Sequence, residues 1–61
     1  MTKWQIRDVK MAETLVRVNM IDTAAACLSA AIRAAMRTKD AAEMRQHAAR
    51  LGLSNHPKFI C

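Results

Sequence analysis

The stretch Thr23-Ala-Ala-Ala-Cys-Leu-Ser-Ala-Ala-Ile-Arg-Ala-Ala-Met-Arg37 decides the fold class. It holds neither Gly nor Pro, and Ala, Leu, Met and Arg head the ranking of helix formers. No run of β-branched residues alternates anywhere in the chain, so strands are not expected. The spacing predicts a helix over about 22–38, with Asp22 as its N-cap. Asp22, Ser29, Arg33 and Arg37 form a narrow polar strip along it. A helix apolar over most of its circumference is normally enclosed by neighbours.

Two more helices follow on working outward. Upstream, the pattern predicts a helix over about 2–18. Thr2 is placed to cap it, with Gln5 at the third position of a capping box, and Asn19 marks its end. Downstream, Asp40-Ala-Ala-Glu43 has capping-box spacing and opens a helix over about 39–51. Gly52 follows Leu51 and is suited to the left-handed cap conformation. The alternative is one unbroken helix from Asp22 to Leu51. Facing angles argue against it, because Leu28, Ile32 and Met36 centre on a different side from Met44, Ala48 and Leu51. The expectation is a single all-α domain over 1–61, a three-helix bundle with a short irregular tail at 52–61.

The segment around Ala48, Ala49, Leu51, Gly52, Leu53 and Ser54 resembles the first half of a helix-turn-helix. That resemblance implies a recognition helix over Asn55-His-Pro-Lys-Phe-Ile-Cys61, seven residues with Pro57 inside. The same residues also read as an ordinary helix C-cap with a hydrophobic contact, which is the reading the spacing favours.

Apolar residues make up 52% of the 61, but many of them are Ala. Five more are Met, and large aliphatic or aromatic side chains come only from Val, Ile, Leu, Trp4 and Phe59. A chain of this size buries only about 60% of its extended surface. Helix two therefore wants more neighbours than one chain supplies. A homodimer is the expected remedy, meeting through Leu28, Ala31, Ile32, Ala35 and Met36.

The formal charge is +5 with His neutral, which suits an anionic partner. Lys3, Arg7, Lys10, Thr14 and Arg17 follow a 4, 3, 4, 3 spacing that places them on one side of helix one. The four cations span about 21 Å at 1.5 Å per residue, a scale on which phosphates of a nucleic-acid strand recur. Arg33, Arg37, Arg45 and Arg50 could extend the surface. Apolar residues form two stripes, one of Trp4, Met11, Leu15 and Val18, the other of Ile6, Val9, Val16 and Met20. Gln5, Asp8, Ala12 and Asn19 fill the flank opposite the cations.

Other chemistry is poorly supported. Cys27, Cys61, His47 and His56 match no zinc spacing, and two cysteines make no disulfide framework. No set of nucleophile, base and orienting group is present, nor a Gly-rich phosphate loop. No cofactor and no small-molecule substrate are expected. Met1-Thr-Lys-Trp-Gln runs straight into mixed charges, so a cytoplasmic location is expected. The longest uncharged stretch, Thr23 to Ile32, is too short to cross a bilayer. The split apolar stripes, with Asp8 and Glu13 among them, weigh against a membrane-surface helix. The expectation is a small, non-enzymatic regulatory or accessory protein that engages nucleic acid mainly through phosphates. The alternative is a protein-binding inhibitor or adaptor acting through helical surfaces.

Overall fold

The computed structural model describes residues 1–60. Those residues form three helices and no strand: α1 (Lys3–Arg17), α2 (Ile21–Ala34) and α3 (Lys39–Arg50). α2 packs against both of the others. The Met1 ammonium lies 3.5 Å from an Asp40 carboxylate oxygen. This contact brings the start of α1 to the start of α3, so α1 and α2 run antiparallel.

Local chemistry sets the helix ends. The Gln5 N–H donates to Thr2 Oγ1 at 3.3 Å, and the Thr2 N–H donates to Gln5 Oε1 at 2.7 Å. This is the reciprocal capping box expected for α1. At the other end Asn19 takes φ 64°. Its N–H reaches the Val16 carbonyl at 3.1 Å, and the Met20 N–H reaches Leu15 at 2.8 Å. Together these form a Schellman cap. The same pair of bonds recurs after α3, from Gly52 to Ala49 (3.1 Å) and from Leu53 to Ala48 (2.9 Å), with Gly52 at φ 74°.

The break between α2 and α3 is real, and it falls earlier than expected. α2 stops at Ala34, and Arg37 adopts φ 76°. Thr38 is the N-cap of α3, but its hydroxyl donates backward to the Ala35 carbonyl at 2.6 Å. Two expected caps are corrected. Met20 caps α2, which places Asp22 in its first turn, and Asp40 is in the first turn of α3. Carboxylates there face the positive end of the helix dipole, which is favourable without any capping bond.

The core draws on every element. Leu28, Ile32, Met44 and Leu53 are the largest fully buried side chains, joined by Val9, Ala12 and several alanines. Small residues let the helices approach, and Leu15, Val16, Ile21, Leu51 and Phe59 close the edges. Four of the five residues expected at a dimer interface, Leu28, Ala31, Ile32 and Ala35, are buried inside this core. They leave almost no surface to offer a second copy. Met36, at 58% exposure, is the exception.

α2 is not surrounded. Its outward side carries Thr23, Ala26, Ala30, Ala34 and Arg33, all exposed. The alanines that suggested enclosure include several that face water, which a methyl group tolerates readily. The tail covers part of the expected polar strip instead. His56 Nε2 lies 2.8 Å from Asp22 Oδ1, and the Ile60 N–H donates to Ser29 Oγ at 3.0 Å. Ser29 is thereby buried, at 3% exposure. The Lys58 N–H donates to His56 Nδ1 at 3.1 Å, so that ring nitrogen is an acceptor and Nε2 carries the proton toward Asp22. No helix follows Gly52 among the described residues, so the second half of a helix-turn-helix is not formed there. Cys61 lies outside the described residues.

Candidate nucleic-acid interface

α1 turns an unexpected side inward. Ala12 and Val9 are buried, with Leu15, Val16, Gln5, Asp8 and Glu13 half-buried around them. The flank of Gln5, Asp8 and Ala12 therefore meets the core. Gln5 can sit there because its carboxamide is taken up by the N-cap. The two apolar stripes are split in consequence: Leu15, Val9 and Val16 go in, while Trp4, Met11, Val18 and Ile6 stay out.

The outward arc can be read at about 100° per residue. It runs Ile6, Arg17, Lys10, Lys3, Thr14, Arg7, Val18, Met11, Trp4, and every one of these side chains is exposed. It contains four cations and no acid. Both acids of α1, Asp8 and Glu13, sit at the margins of the buried side. Among the described residues the Met1 ammonium pairs with Asp40 and the His56 ring meets Asp22, and neither contact uses an α1 cation. Thr14 is an exception among the polar groups, because its hydroxyl donates to the Lys10 carbonyl at 3.0 Å. Lys3, Ile6, Arg7, Lys10, Met11 and Thr14 surround a shallow open depression of about 440 Å³.

The first turn of α1 holds no acid, so Lys3 adds its charge to the positive end of the helix dipole. An aromatic ring borders the cations there. The Arg7 guanidinium sits over the Trp4 ring at 5.9 Å from its centroid, within the range of a cation–π contact. The sequence pattern assigns Trp4 to an apolar stripe, apart from the cations. The missed signal is the i, i+3 spacing of Trp4 and Arg7, which makes them helix-surface neighbours.

The remaining candidates fall elsewhere. Arg33 ends α2 and Arg37 occupies the left-handed turn after it; both are exposed, and neither belongs to the α1 face. Cys27 is half-buried on α2, and its thiol is pushed up by burial, with the Asp8 charge adding to the effect. Among the described residues no group of three His, Cys, Asp or Glu side chains could hold a metal ion. No helix of the described residues is long and apolar enough to cross a membrane. No family model, no curated protein and no solved structure matches this chain.

Proposed function

We propose that this protein is a non-enzymatic accessory or regulatory factor that binds nucleic acid through the outer face of α1. The observation that carries this reading is the acid-free arc with Lys3, Arg7, Lys10 and Arg17 at its centre, all exposed and none in an ion pair with another described residue. Lysine and arginine so placed neutralise phosphates and release their counterions. The order of residues around the arc favours phosphates over a lipid surface. A helix lying in a membrane puts apolar residues at the middle of its contact face and cations at the edges. Here the cations hold the middle, and Ile6 and the Trp4–Met11–Val18 row form the two edges.

The test is a binding comparison at low salt. A variant carrying Lys3→Gln, Arg7→Gln, Lys10→Gln and Arg17→Gln loses nucleic-acid binding, while Arg45→Gln with Arg50→Gln retains most of it. Equal binding by both variants overturns the assignment of the face. The proposal includes pairing of two copies only through surface outside the core, where Met36 is the expected interface residue with exposed area left. Sedimentation tests this part separately. A particle twice the 6.8 kDa chain mass supports it, and a 6.8 kDa particle removes it.

A further inference from the structure

We infer that Trp4 is a base-stacking platform and that the nucleic acid held by α1 is single-stranded. This rests on the phosphate-binding reading and deepens it. Trp4 is the most exposed large apolar side chain among the described residues, at 69%. It is also the sole tryptophan of the chain. An indole left in water forgoes a large burial gain, so a partner that covers it is strongly favoured.

The position of the ring restricts what that partner is. The Arg7 guanidinium covers one face at 5.9 Å, and the high exposure leaves the rest of the ring open to solvent. Lys3 and Arg7 flank Trp4 in sequence and lie on the exposed arc with it. A phosphate neutralised by these two cations carries its own sugar and base toward the indole. In a duplex the faces of the bases are already stacked on one another and only their edges are presented. An unpaired base offers its π-face, and stacking on an aromatic side chain is the usual way a sequence-tolerant site takes hold of it. Arg7 strengthens the platform, since a guanidinium against the ring can also engage the phosphate. Met11 and Val18 continue the same edge along the helix, offering apolar contact to neighbouring sugars and bases without a further aromatic. The geometry thus provides one stacking position at the N-terminal end of α1 and phosphate contacts beyond it.

The intrinsic emission of Trp4 reads this directly. Wild-type protein is titrated with an unstructured oligothymidylate and with a DNA hairpin of equal length, and the fluorescence anisotropy of labelled forms of the same oligonucleotides gives the affinities. The single strand is expected to quench Trp4 and to bind more tightly than the hairpin. Trp4→Ala weakens single-strand binding by between about fivefold and about a hundredfold, the range for loss of one stacked base. It leaves hairpin binding little changed, and Trp4→Phe recovers part of the loss. Circular dichroism confirms that the variants stay helical, as the exposure of the residue predicts. Binding of the single strand without quenching, or with Trp4→Ala equal to wild type, overturns the stacking inference and leaves the phosphate reading standing. Preference for the hairpin does the same. Absence of binding to either oligonucleotide at low salt, or a Trp4 blue shift only on anionic lipid vesicles, overturns both.

Discussion

Among the described residues three take left-handed backbone angles, and they do so for different reasons. Gly52 does so freely. A Cβ built on it meets no atom within 4 Å, so Gly52→Ala introduces backbone strain alone. The expected loss is about 1 kcal/mol, read as a lower urea midpoint with an unchanged slope. Asn19 is the non-glycine type best suited to φ 64°. Arg37, at φ 76°, has no such preference, and Arg37→Gly is expected to raise the midpoint. Cys27 gives a prediction in pH. Its thiol holds its proton more tightly in the folded chain than in the unfolded one. That contribution to stability is complete below the ordinary thiol range and is lost as pH rises through the folded value. Alkaline unfolding scans should therefore show a decline that Cys27→Ser reduces, and the same decline in both proteins would contradict the assignment. At this scale the sequence was informative wherever a residue type has one strong local preference. Thr2 with Gln5, Asn19 and Gly52 could be read directly. Arg37 could not, because nothing local distinguishes an arginine in a turn from one in a helix. Asp22 and Asp40 misled because an acid serves a helix start equally well as a cap or as a first-turn charge.

Helix existence followed from composition, whereas which side of each helix faces inward did not. Alanine causes this on α2, since it is compatible with both a close helix contact and water. Periodicity then cannot separate Ala24, Ala25 and Ala31, which are buried, from Ala26, Ala30 and Ala34, which are exposed. A test follows at this scale. Ala30→Lys on the outward side should change stability by no more than about 0.5 kcal/mol, and a loss of several kcal/mol would show that this side is enclosed. The tail was equally hard to read, since its anchors are distant in sequence. Asp22 and His56 are 34 positions apart, and Ser29 and Ile60 are 31 apart. Leu53 makes the tail part of the core, being fully buried and bonded through its N–H to Ala48. Leu53→Ala should cost about 2–5 kcal/mol, the usual range for a buried leucine, measured by denaturant unfolding. A cost under 1 kcal/mol would mean that the tail packs loosely.

Taken whole, the molecule meets its shortage of large apolar side chains internally. Small residues bring α1 and α3 close to α2, and Leu53 and Phe59 fold back to fill what the helices leave open. Burying Leu28 and Ile32 in this way consumes the surface expected to form a dimer. What remains outside is the α1 arc, and its cations were legible from spacing alone because charged residues three and four apart must share a helix face. Its edges were not, since the sequence could not say which of two apolar stripes would be buried. The central claim is that four cations on α1 act together on phosphates. Its most direct test is the dependence of affinity on salt for wild-type protein and an unstructured single strand. Four released counterions predict a log–log slope of about −3, and each single Lys→Gln or Arg→Gln change on the arc makes it shallower by about 0.7. A slope near zero, or one that the arc substitutions leave unchanged, would contradict the account.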